Sequence, residues 1–159
     1  AELLKILYFT FSFVVVVFID IEFRIIPDRF NLGGFILAFA AALFWGEPSW
    51  LQSLMGALVG FGSFYLLAWG YEKFKGIEGL GFGDVKMMAW LGAWLGIMRV
   101  PEMILYASVS GVLVGVFLKL KSRQGFQTAL PFGPFLALAA YAVWILAQVM
   151  PEFSLFSLI

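Results

Sequence analysis

Cysteine and histidine are both absent from this 159-residue chain, and charged residues make up only 13% of it. The two absences exclude disulfides, thiol nucleophiles, serine–histidine–aspartate triads and the usual zinc ligands. Lysine and arginine together number ten, as do aspartate and glutamate, so no net charge favours a nucleic-acid partner. Carboxylates are therefore the main titratable groups that remain for chemistry.

Apolar residues dominate what is present, at 63% of the chain with a mean hydropathy of +0.99. These values lie far outside those of a soluble domain and indicate an integral membrane protein. A bilayer core takes roughly 20 helical residues, and the apolar runs are continuous, which favours helices. We expect an all-α, six-transmembrane-helix bundle that forms one domain over residues 1–159, with spans near residues 3–21, 30–45, 50–69, 84–98, 102–118 and 132–150.

Positive charges concentrate between alternate spans. Eight of the ten cations fall in or beside predicted loops one, three and five, whereas Lys5 and Arg99 lie on the other side. The positive-inside rule therefore places those three loops in the cytoplasm and both termini outside. Glycine pairs spaced four apart, at 56 and 60, 92 and 96, and 111 and 115, predict that spans three, four and five pack closely on one another.

Two aspartates stand where predicted spans meet the cytoplasmic side. Asp20 lies at the foot of span one, and Asp84 heads span four, which at 1.5 Å per residue is only about 22 Å long. Asp84 is therefore expected below the membrane interface. Acids in such positions are costly to desolvate, which favours a functional site in which each aspartate is the other's partner. Lys86, two residues after Asp84, is interpreted as a snorkelling anchor.

Structural alternatives exist for both aspartates. Asp84 follows Gly-x-Gly at the start of an apolar helix, so its carboxylate could be an N-cap. Asp20 precedes Arg24 by four residues, a favourable order for an ion pair along one helix. Further along, Asp28 or Asn31 could cap span two.

Three segments, in this order, resemble the motifs of the prepilin peptidases, a family of membrane aspartic proteases that also includes the preflagellin peptidases. The first is Asp20 followed by Ile26-Pro27-Asp28, the second is Gly81-Phe82-Gly83-Asp84-Val85-Lys86, and the third is Pro131-Phe132-Gly133-Pro134. Together they extend from span one to span six. Presenilin-like proteases share the short signature around Asp84 but not the other two segments.

The resemblance implies an aspartic endopeptidase with Asp20 and Asp84 as its catalytic pair. Two close carboxylates cannot easily both ionise, so one would hold a proton while the other activates water, and the sequence leaves open which is which. The implied substrate-binding residues are Gly81 and Gly83, which let an extended backbone come close, together with Pro27 and Asp28.

The implied substrate is a type IV prepilin or a type II secretion pseudopilin, cut after a glycine at the cytoplasmic face of the inner (plasma) membrane. Proteolysis of this kind needs no metal, cofactor or covalent intermediate. S-adenosylmethionine would be required only if the chain also methylated the new pilin N-terminus. No feature of the sequence sets an oligomeric state.

The sequence departs from many prepilin peptidases at its N-terminus. Those relatives carry a cytoplasmic segment with Cys-x-x-Cys motifs that bind zinc, and they methylate with S-adenosylmethionine. This chain starts at Ala1 without that segment, so it is either a piece of a longer protein or a shorter, peptidase-only member. Its first apolar run has no basic n-region and no Ala-x-Ala cleavage site, which indicates a span and not a signal peptide.

Two functions of other classes remain open. Paired intramembrane carboxylates also build proton- or cation-coupled transporters, although no repeated half-helices are evident here. A non-catalytic membrane component of a secretion machine is the other. It predicts that Asp20 and Asp84 can be replaced without loss of function, whereas a protease predicts that neither can.

Overall fold

The structure, a computed structural model, describes residues 28–76, 81–121 and 132–149 and seven positions between residues 6 and 18. Every regular element in this part of the chain is helical, which confirms the all-α prediction. The count of six spans stays a prediction, because span one falls largely outside the described residues. The elements are α1 (Asp28–Trp45), α2 (Trp50–Lys75), α3 (Phe82–Leu95), a short 3₁₀ helix (Ile97–Arg99), α4 (Val100–Lys121) and α5 (Gly133–Val149).

Helix α2 has well-defined ends. Ser49 and Gln52 form a capping box, in which the Gln52 N–H donates to Ser49 Oγ at 3.3 Å and the Ser49 N–H donates to Gln52 Oε1 at 3.1 Å. Gly76 ends the helix in the left-handed conformation, with φ of 68°, and its N–H bonds to the Glu72 carbonyl. The helix thus continues to Lys75, beyond the predicted apolar span 50–69, because no proline interrupts residues 50–75.

Helices α2 and α3 cross in antiparallel fashion through their glycines. A Cβ atom on Gly56 would collide with the Gly92 carbonyl oxygen, and one on Gly60 would lie 2.5 Å from the Met88 carbonyl oxygen. The close contact predicted between spans three and four is therefore confirmed. The third glycine pair has a different neighbour, because a Cβ atom on Gly111 would lie 3.3 Å from the Phe132 ring, just before α5.

Helix α3 is the central element of the described bundle. Its fully buried side chains, and those that pack on it, form the core, which includes Val85, Met87, Met88, Leu91, Val100, Met103, Leu136 and Val143. The outer helices expose large apolar side chains instead, and Phe44, Phe74 and Leu120 are each more than 80% exposed.

Two segments, Trp50–Lys75 and Ile97–Leu118, are long and apolar enough to cross a bilayer by length and composition. Only 28% and 22% of their most apolar windows are buried in the protein, so their hydrophobicity is not that of a soluble core. An apolar exterior of this kind fits a protein that is surrounded by lipid.

Candidate functional site

The starts of three helices, α1, α3 and α5, lie at the Asp84 end of the bundle, beside the middle of α2. In the α2–α3 crossing, Gly56 lies against Gly92 and Gly60 lies against Met88, so the same four-residue step brings Phe64 level with Asp84. The Phe64 ring in turn packs on the Phe132 ring, with centroids 6.0 Å apart. The structure therefore brings the second and third motif segments to one end of the bundle.

Asp84 is the third residue of α3 and is half-buried. Gly81 is the N-cap residue of the helix, and the Asp84 N–H donates to the Gly81 carbonyl at 3.0 Å. The alternative that Asp84 is the N-cap residue is therefore wrong, because that position belongs to Gly81. Asp84 lies four and seven positions before Met88 and Leu91, both fully buried, so it shares the face of α3 that is turned into the bundle.

The carboxylate also lies well below the end of α2. The two helices are flush at their other end, where a Cβ atom on Gly96 would lie 3.0 Å from Pro48 Cβ, just before α2. All of the excess length of α2 therefore falls on the Asp84 side, where the helix continues from Phe64 to Lys75 over about 16 Å. The position of Asp84 relative to the membrane interface stays a prediction.

An ion pair joins the starts of α1 and α3. Lys86 Nζ donates to Asp28 Oδ1 at 2.6 Å and lies 5.2 Å from the centroid of the Phe82 ring, one turn earlier on the same helix. Lys86 thus has an intramolecular partner and is more than a snorkelling anchor. The same contact engages Asp28, whose side chain is 74% exposed.

A second polar contact lies one turn deeper between the same helices. Trp90 Nε1 donates to Asn31 Oδ1 at 3.1 Å, and both side chains are buried. Asn31 is inside α1, so it is not the cap of that helix. Gly34 faces the Trp90 ring and leaves room for it, since a Cβ atom there would lie 2.8 Å from a ring carbon. Sequence reasoning missed this pair, although an asparagine in an apolar run is a signal that a polar partner is needed.

The predicted site residues divide into two groups. Asp84, Gly81, Gly83 and Asp28 belong to the end of the bundle described above. Asp20 and Pro27 lie outside the described residues, so the approach of Asp20 to Asp84 stays a prediction. Within the described part of the chain, no cluster of three or more acidic side chains could hold a metal ion.

A cavity of about 440 Å³ lies at the opposite end of α3 from Asp84. It combines aromatic and polar walls, with Trp94 and Trp144 beside Glu47, Gln52 and Arg99. Gly96, which also lines it, is twelve residues from Asp84, or about 18 Å along the helix axis. The cavity is therefore separate from the Asp84 end.

The fold and site define a class: a helical protein with a lipid-compatible exterior and an acid recessed at the start of a short central helix. The model of the Type IV leader peptidase family matches residues 7–116, more than half of the chain. The chain belongs to this family.

Curated relatives agree with the family match. A prepilin leader peptidase/N-methyltransferase of Burkholderia pseudomallei is 38% identical over 120 residues, which cover 75% of this chain and 38% of the relative. One of Pseudomonas putida is 36% identical over 140 residues, 88% of this chain and 49% of the relative. The leader peptidase HopD of Escherichia coli is 38% identical over 128 residues, 78% of this chain and 81% of the relative.

The chain thus spans about two fifths to half of the length of the two peptidase/N-methyltransferases. It spans about four fifths of the leader peptidase HopD. No solved structure matches the chain significantly.

Proposed function

We propose that this chain is an aspartic endopeptidase that removes the leader peptide from type IV prepilins or pseudopilins, with Asp20 and Asp84 as the catalytic pair. One observation carries the proposal: within a type IV leader peptidase family member, the segments around Asp84 and Phe132 meet at one end of the bundle. The proposed architecture is a single domain of six transmembrane helices in the inner membrane. Its catalytic end faces the cytoplasm, and both termini lie outside.

The proposed chemistry needs only the two carboxylates and a water molecule. The ionised aspartate takes a proton from the water as its oxygen attacks the scissile carbonyl carbon. The protonated aspartate donates a hydrogen bond to the developing oxyanion and then passes its proton to the leaving amine as the C–N bond breaks. A half-buried position such as that of Asp84 keeps bulk water low and strengthens these interactions.

The proposed substrate site lies beside the first turn of α3. Gly81 and Gly83 have no side chains, so an extended substrate backbone can approach Asp84 there. A Cβ atom on Gly81 would already lie 3.7 Å from Asp84 Oδ2, so a larger side chain would occupy the approach to the acid. Pro27 and Asp28 complete the proposed site at the start of α1.

Methylation is a second activity that the relatives' names raise, and it would use S-adenosylmethionine. Hydrolysis by Asp20 and Asp84 needs no methyl donor, so peptidase activity is the function that we propose for these residues.

The first test is cleavage of a prepilin in liposomes by the purified chain, compared with Asp20→Asn and Asp84→Asn. Each substitution keeps the size of the side chain and removes its charge, so each is expected to lower kcat by at least about 10³-fold, as for residues that act as a catalytic unit. Glu72→Gln, a carboxylate in the last turn of α2, is the matched control and should keep its activity.

The outcomes separate the three functions. If either aspartate variant of a folded protein keeps its rate, that residue is not catalytic. An inert wild type in which Asp84→Asn abolishes proton or cation uptake into the liposomes would favour a transporter. A wild type with neither activity would favour a non-catalytic component.

A further inference from the structure

The glycine interface between α2 and α3 does not by itself fix how far α3 is inserted. Gly56 and Gly60 repeat at the same four-residue step as Met88 and Gly92 on the facing helix. A slide of α3 by one turn, about 5.4 Å, would bring Gly60 opposite Gly92 and keep two small residues in contact. The axial position of Asp84 therefore needs a second determinant.

The contacts between α1 and α3 supply one. Lys86 pairs with Asp28 at 2.6 Å, and Trp90, one turn further along α3, donates to Asn31, which lies nearly one turn further along α1. These two rungs form what we call the α1–α3 ladder. A slide by one turn would bring Trp90 to the level of Asp28 and leave Asn31 without its donor, so the ladder favours a single register.

The ladder acts near the proposed catalytic pair. Lys86 is two residues from Asp84, and Asp28 is eight residues after Asp20 along the chain. A surface ion pair adds little to stability, yet polar contacts across an interface are well suited to fixing register. Asp28 and Lys86 are therefore expected to affect the axial position of α3 more than the stability of the fold.

We propose that Asp28 and Lys86, supported by Asn31 and Trp90, are positioning residues that hold Asp84 at the axial level where it meets Asp20. This inference rests on the proposed function and extends it. It assigns Lys86 no contact with substrate or with the reacting atoms. It also makes Asp28 a partner of Lys86 in the resting protein.

Kinetics test the ion pair through a double-mutant cycle of Asp28→Asn and Lys86→Gln. Each single variant is expected to lower kcat roughly fivefold, the equivalent of about 1 kcal/mol. In Lys86→Gln, which removes no proposed substrate contact, KM should stay within about twofold of wild type. The double variant should be no slower than the slower single variant, because both substitutions break one contact. Lys86→Arg should restore the rate to within about twofold of wild type, since arginine can also pair with Asp28. Lys75→Gln, at the exposed end of α2, is the charge control.

A positional readout uses the natural absence of cysteine. Asp20→Cys and Asp84→Cys are combined, and the rate of cross-linking by a short bis-maleimide is measured in membranes. Adding Asp28→Asn or Lys86→Gln should slow cross-linking at least about threefold. Without the ion pair, α3 would spend less time in the register that brings the two cysteines together. Lys86→Arg and Lys75→Gln should not slow cross-linking.

Three results would overturn the inference. Full activity of Asp28→Asn and Lys86→Gln, beside an inactive Asp84→Asn, would show that the ladder does not position Asp84. The proposed protease activity would still stand. A fall in kcat with an unchanged cross-linking rate would show that the pair does not act through position. Absence of the cross-link in every background would overturn both the ladder and the proposed catalytic pair.

Discussion

At the scale of single residues, the buried pair of Asn31 and Trp90 shows how position and stability can be separated. Asn31 Oδ1 accepts from Trp90 Nε1 at 3.1 Å, but the buried Asn31 Nδ2 group has no hydrogen-bond partner among the residues that the structure describes. A half-satisfied buried amide costs more than an apolar side chain of the same shape. The contact is therefore explained better by the register it specifies than by the free energy of folding it adds.

The cost of the half-paired Asn31 amide predicts how the stabilities of two variants, Trp90→Phe and Trp90→Phe combined with Asn31→Leu, compare. Trp90→Phe leaves the Asn31 amide wholly unpaired and should destabilise the fold by about 1–3 kcal/mol. Adding Asn31→Leu removes the buried amide, so the double variant should unfold at a higher temperature than Trp90→Phe alone. Thermal unfolding in detergent, followed by far-UV circular dichroism, measures this order. A double variant less stable than Trp90→Phe would contradict the interpretation.

At the scale of helices, the sequence predicted which faces approach closely but not always which partner they meet. Gly56 and Gly92 do lie against each other, whereas Gly111 faces the ring of Phe132. A glycine pair indicates that some helix comes near, and the identity of that helix depends on the topology of the whole bundle. Contacts such as Lys86 with Asp28, 58 residues apart, were not predicted because hydropathy gives no register between helices.

The α2–α3 crossing predicts a strong contrast between two glycines of the same helix. In Gly56→Ala the new methyl group would overlap the Gly92 carbonyl, so the helices must separate at a cost of about 1–3 kcal/mol or more. Gly62→Ala places its methyl group where no atom lies within 4 Å, and it should be neutral or stabilise by up to about 1 kcal/mol. Thermal unfolding of both variants in one detergent provides the comparison. Equal stabilities would mean that the helices do not cross at Gly56.

At the scale of the whole molecule, composition alone predicted a helical membrane protein, and the exposed apolar side chains of α2 and α4 agree with it. The three motif segments also predicted the family. The position of Asp84 below the end of α2 could be recognised only from the structure, because it follows from the alignment of Gly96 with Pro48 at the far end of α3. Neither hydropathy nor a motif could have placed the overhang of α2 on the Asp84 side.

That arrangement predicts opposite exposure of the two ends of the bundle. Lys75, at the end of α2, is expected in the cytoplasm, and Met98, in the 3₁₀ helix beyond α3 and 60% exposed, is expected outside. In the naturally cysteine-free chain, Met98→Cys should react with a membrane-impermeant maleimide added to spheroplasts, and Lys75→Cys should react only after the membrane is opened. Labelling of both residues from outside would place the two ends of α3 on one side of the membrane. Labelling of Lys75→Cys alone would invert the topology and move Asp84 away from a cytoplasmic leader peptide, leaving that substrate without access to the acid.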